Sequence, residues 1–142
     1  MHRSRLISLI LLFGLLVLFA PVDASKKELL IIELEGSINP ATATFLKKGL
    51  KEAEKRDVEL VIVRLDTPGG LASSMRSMVK DIMNSDVPVV VYVSPRGAGA
   101  ASAGVMVTVS AHIAAMAPGT NIGAAHPVAA GGKEIERTMS QK

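Results

Sequence analysis

Ser102 lies in the run Arg96-Gly97-Ala98-Gly99-Ala100-Ala101-Ser102-Ala103-Gly104, a hydroxyl among residues with little or no side chain. Such neighbours leave the backbone around Ser102 accessible and let a following helix pack closely. A serine near a helix N-terminus can attack a carbonyl, because free N–H groups and the positive end of the helix stabilise the oxyanion. The same composition would also suit two helices touching, with Ser102 as a cap. The spacing is not Gly-x-Ser-x-Gly, which disfavours an α/β-hydrolase. A second motif, Asp66-Thr67-Pro68-Gly69-Gly70, falls where a strand ends and a helix begins. Open α/β sheets bind ligands at the carboxyl ends of their strands. Glycines there let a backbone approach a ligand and aim N–H groups at it, although an ordinary βα turn has the same composition.

A serine nucleophile needs a partner that takes its proton. One choice is His126, in Gly123-Ala124-Ala125-His126-Pro127; the other is Lys142, the last residue of the sequence. A lysine base must be held neutral, which requires burial. A histidine base would need a carboxylate, and Asp66 is the aspartate placed near the site. Cysteine is absent, which removes disulfides, thiolate metal sites and a cysteine nucleophile. The 3 histidines are scattered and no His-Glu-x-x-His occurs, so neither a metal nor another cofactor is expected.

Elements of alternating type must position these residues. The apolar run 29–34 predicts a strand that stops at Gly36, with Asn39-Pro40 as the turn. Leu46, Leu50 and Ala53 recur at helical spacing in 41–56, with Lys and Glu on the other face. The β-branched run 58–65 predicts a second strand, and Leu71, Met75, Met78 and Ile82 mark a helix over 71–84. Nearly continuous valine in 87–93 reads as a strand buried on both faces. A small-residue helix over 101–111, a strand at 113–116 and a Gly/Pro-rich loop follow, and Ile135 and Met139 open a possible further helix. This alternation implies βαβ units and a mostly parallel sheet, an α/β class. With three helices and about four strands the sheet looks unfinished, so a C-terminally truncated domain is expected.

The 142 residues are about one domain long, and 49% hydrophobic composition favours a packed core over disorder. Aromatics are only 3%, so that core must be aliphatic. The net charge of +3 is modest and its cations are mixed with acids, which argues against nucleic-acid binding. At the N-terminus, Arg3 and Arg5 precede the uncharged run 6–20 and the small-residue stretch Val22-Asp23-Ala24-Ser25. A spanning helix needs about 20 apolar residues, so this run suits a signal peptide. Cleavage after Ala24 would leave an exported domain from residue 25 onward.

Taken together, Asp66-Thr67-Pro68-Gly69-Gly70, Gly99-Ala100-Ala101-Ser102-Ala103-Gly104 and Ala117-Pro118-Gly119-Thr120-Asn121-Ile122-Gly123-Ala124-Ala125-His126-Pro127 resemble the NfeD family of membrane-bound serine proteases, operon partners of stomatin- or flotillin-like proteins. The resemblance runs from about residue 28 to residue 142. It implies a ClpP/crotonase-like fold of repeated βαβ units and peptide-bond hydrolysis by Ser102. It further implies an oxyanion hole from the N–H groups of Gly70 and Ala103, with Gly69 and Leu71 beside the substrate. Lys142 falls where archaeal relatives carry a lysine base, while His126 is similar in placement to the ClpP triad histidine. Lys142 is favoured, with His126 lining the site. Long family members continue past this point, so little activity is expected from the 142 residues alone.

The leading expectation is an extracytoplasmic serine endopeptidase acting on an apolar segment of a stomatin-like membrane protein, held as an added strand. Homo-oligomers are expected. One competitor is a non-catalytic interaction module for a stomatin- or flotillin-like partner. Another is a crotonase-type acyl-CoA enzyme, which would need a Glu or Asp acid/base and which export would separate from CoA.

Overall fold

Gly36 stops the first strand, and Asn39 starts the first helix. The Asn39 side chain accepts the N–H groups of Ala41 and Thr42, and Thr42 Oγ1 accepts the Asn39 N–H at 2.9 Å. This reciprocal cap, with Pro40 in the first turn, satisfies donors that a helix start otherwise leaves unpaired. Asn39→Ala is expected to cost about 1 kcal/mol of stability, measured by thermal or urea unfolding.

The computed structural model describes residues 28–124. Its elements are β1 (Leu29–Glu35), α1 (Pro40–Lys55), β2 (Leu60–Asp66), α2 (Ala72–Met83), β3 (Val89–Val93), β4 (Gly99–Ala101), α3 (Ala103–Val109), β5 (Ile113–Met116) and β6 (Asn121–Gly123). Strands β1, β2, β3 and β5 form a parallel sheet in that order, and β4 pairs in parallel with β6 in a small second sheet. In register, Ile32, Val63, Val91 and Ala114 share one row. Ile32, Leu34, Val61, Val63, Leu65, Val89, Val91 and Val93 point to the helices, where Leu46, Leu50, Met78, Ile82 and Val107 complete one core. Each such side chain contributes about 1.5–3 kcal/mol relative to exposure. The aliphatic core read from composition is present.

Three details differ from the reading of the sequence. Strand β3 is not buried on both faces: Val89, Val91 and Val93 are buried, while Val90 and Tyr92 are only partly so. The helices cover one face of the sheet, and Leu29, Ile31 and Ile113 are exposed on the other, beside the Glu33–Arg64 ion pair. The helix expected over 101–111 is shorter, because Gly99–Ala101 is strand rather than helix. The loop after β5 contains a strand of its own, β6. The N-terminal run, His126 and Lys142 lie outside the described residues.

Candidate active site

Both glycine-containing motifs converge at the carboxyl end of the parallel sheet. The first extends β2. Thr67 forms a parallel bridge with Ala100: its N–H donates to the Gly99 carbonyl at 2.7 Å, and its carbonyl accepts the Ala101 N–H at 3.0 Å. This pairing makes β4 the strand that delivers Ser102. On its other side β4 is held by β6, and the Ser102 N–H donates to the Gly123 carbonyl at 2.8 Å. Ser102 is thereby clamped between two segments far apart in sequence.

Ser102 stands at the junction of β4 and α3 with φ 51° and ψ −114°. A positive φ is uncommon for a residue with a side chain, and strain of this kind persists only where surrounding structure imposes it. The sharp strand–serine–helix turn presents a half-buried Ser102 as a nucleophile elbow would, although the Gly-x-Ser-x-Gly spacing is absent. Its side chain makes no cap bond to α3, so the capping alternative does not hold. Because α3 is only 7 residues long, it offers Ser102 the local Ala103 N–H rather than the dipole of a long helix.

The second turn faces the first. Gly69 has φ 103°, and a Cβ placed on it would lie 2.8 Å from Ser102 Cβ and 2.9 Å from the Ala101 carbonyl oxygen. Only glycine permits this approach. Gly70 bridges to Ile38: the Ile38 N–H donates to the Gly69 carbonyl at 2.7 Å, and the Leu71 N–H donates to the Ile38 carbonyl at 2.8 Å. Because residues 69 and 71 spend their groups on Ile38, the N–H and C=O of Gly70 face the opposite side. Among the described residues neither the Gly70 nor the Ala103 N–H has a partner. Leu71, 54% exposed, flanks this open edge. A strand edge, two free N–H groups and a strained serine thus lie together, an arrangement suited to acyl chemistry on an extended peptide.

Of the sequence-derived residues, the structure brings together Ser102, Ala103, Gly69, Gly70 and Leu71. It adds Thr67, read only as part of a turn, and it gives Asp66, read as the aspartate that a histidine base would need, a backbone N–H to hold. Asp66 Oδ1 accepts the Gly99 N–H at 2.9 Å, and Thr67 Oγ1 accepts the Gly69 N–H at 3.0 Å. The Thr67 bond is local, a hydroxyl to the N–H two residues on, whereas the Asp66 bond reaches a residue brought in by tertiary pairing. Among the described residues no group of three or more His, Cys, Asp or Glu side chains could hold a metal ion.

The fold is that of ClpP-like protease domains: ClpP1 from Listeria monocytogenes superposes with a TM-score of 0.62 at 21% identity, over 75% of this chain and 61% of that one. A lysine-to-alanine variant of the 1510-N membrane-bound stomatin-specific protease, in complex with a substrate peptide, gives 0.74 at 38% identity, over 82% of this chain and 54% of that one. In sequence, the membrane-bound protease PH1510 of Pyrococcus horikoshii is 39% identical over 128 residues, which are 90% of this chain and 28% of that protein. The NfeD1b N-terminal domain matches residues 28–141, and the chain belongs to that family. It spans about half of the solved relative and little more than a quarter of the whole protease.

Proposed function

We propose that this protein is a serine endopeptidase in which Ser102 Oγ attacks the scissile carbonyl and the N–H groups of Gly70 and Ala103 receive the oxyanion. The observation that carries this reading is the strained turn at Ser102, packed against Gly69 beside two N–H groups that have no partner among the described residues. Lys142 is the favoured base and takes the serine proton, with His126 as the other choice. The substrate lies as an added strand along Gly70 and Leu71, whose outward-facing backbone offers a donor and an acceptor. The stomatin-specific protease among the relatives favours an apolar segment of a stomatin-like membrane protein as substrate. Residues 1–24 act as a signal peptide, placing residues 25–142 on the extracytoplasmic side, and the working form is a homo-oligomer. No helix among the described residues is long and apolar enough to cross a membrane.

The reading is tested on the full-length protein with peptides spanning the apolar segments of a stomatin-like protein, with products followed by mass spectrometry. Cleavage of a defined bond is expected. Binding without cleavage would replace the enzyme by a docking module. In the same assay, Lys142→Ala is expected to lower kcat by at least about 10²-fold, the scale of a lost proton acceptor, and His126→Ala by less. The reverse order would move the base to His126.

A further inference from the structure

Thr67 is 2% exposed, yet it reaches both halves of the site. Its backbone pairs with Gly99 and Ala101 in the strand that ends at Ser102, and its hydroxyl accepts the Gly69 N–H. Its methyl seats the helix behind the serine: a Cβ on Gly104 would lie 2.5 Å from Thr67 Cγ2. Next to it, Asp66 adds a side-chain bond to the Gly99 N–H at 2.9 Å. Neither side chain needs to touch a substrate to govern the site.

We propose that Thr67, seconded by Asp66, is a positioning residue that fixes Ser102 relative to the free N–H of Gly70. This inference rests on Ser102 being the nucleophile. The hydroxyl is the part that matters most. Without it the Gly69 N–H loses its partner, and a buried amide without a partner drives the turn to rearrange. Because Gly69 packs on Ser102 Cβ, movement of that turn shifts the nucleophile and the oxyanion donor relative to each other. Misplacement by about 1 Å can cost about 10²-fold in rate.

The test measures covalent capture of the full-length protein by a fluorophosphonate, separating the capture rate constant from the binding constant of the probe. Wild type, Thr67→Val, Thr67→Ser, Asp66→Asn, Asp66→Ala and Ser102→Ala are compared, with deuterium exchange at the Gly69 amide alongside. Thr67→Val is expected to slow capture about 10- to 100-fold, with little change in probe binding and faster exchange at Gly69. Thr67→Ser, which keeps the acceptor, restores most of the rate. Asp66→Asn, which keeps an acceptor for Gly99, is expected to react faster than Asp66→Ala, which does not. Should Thr67→Val fail to fold, the Asp66 pair decides. Thr67→Val reacting at the wild-type rate, Thr67→Ser falling as far as Thr67→Val, or equal rates for the Asp66 pair would overturn the positioning role alone. A wild type that reacts no faster than Ser102→Ala sinks the nucleophile itself, and with it any residue that positions it.

Discussion

Ser102→Ala is expected to lower the turnover of a cleavable peptide by at least about 10³-fold while leaving the fold intact. The size follows from the role: a nucleophile has no substitute, and what remains is the contribution of substrate binding and the two N–H groups. The fold survives because, among the described residues, the Ser102 side chain makes no hydrogen bond that alanine would lose. Its backbone N–H bond to Gly123 is kept by alanine. Stability should therefore change by no more than about 0.5 kcal/mol, as for surface substitutions that remove no partner. Ser102→Gly supplies the complementary arm. It is equally inactive, but it should melt at a higher temperature than Ser102→Ala, because glycine adopts φ 51° and ψ −114° without a side-chain penalty. Equal melting temperatures would mean that the turn is not strained.

Gly70→Ala is the second large effect. With φ at 154°, an added Cβ would overlap the Ile38 carbonyl oxygen and lie 2.7 Å from the Ile38 nitrogen and 2.8 Å from its carbonyl carbon. These are all backbone atoms of Ile38, the residue bridged to Gly70, so no side-chain rotation relieves the clash. The turn must come away from Ile38, breaking the bonds at Gly69 and Leu71 that aim the Gly70 N–H outward. A stability loss of at least about 2 kcal/mol is expected from the overpacking. Loss of one oxyanion donor should cost a further factor of about 10²–10³ in kcat. Gly36→Ala is the control. Gly36 also has a positive φ, 91°, but a Cβ there meets nothing within 4 Å. It should carry only backbone strain, about 1–3 kcal/mol, with kcat unchanged. If Gly70→Ala were no more damaging than Gly36→Ala, the Ile38 bridge would not be what holds the donor.

Much of the scaffold was legible because its periodicities are local. Leu46, Leu50 and Ala53 announce the buried face of α1, and Met78 and Ile82 that of α2. Boundaries slipped where a backbone group had another use: the Val58 N–H donates to Ala53 at the end of α1, and β2 begins only at Leu60. Strand β4 was not legible. Gly99-Ala100-Ala101 carries no strand propensity, and it is extended because Thr67 on one side and β6 on the other supply partners. The valines of β3 gave the element but not the covering, since a sequence does not say on which face helices will pile. In the candidate site, residue types pointed to Ser102 and Gly69-Gly70 but left a helix cap and an ordinary turn open beside them. Thr67 was read only as part of a turn and Asp66 only as the carboxylate for a histidine base; that Asp66 holds the Gly99 N–H depends on a segment brought in by the fold. The two candidate bases, His126 and Lys142, lie outside the described residues and rest on the sequence.

Ser102 is thus proposed as a nucleophile held ready by its own backbone and by Gly69 and Thr67. The most direct test of that role is to treat the full-length protein with a fluorophosphonate, digest it, and locate the adduct by tandem mass spectrometry. The expected result is one phosphonyl group, on the Ser102 hydroxyl, absent after Ser102→Ala and after unfolding before treatment. An adduct on another serine, or none on folded protein that still cleaves peptide, would contradict it.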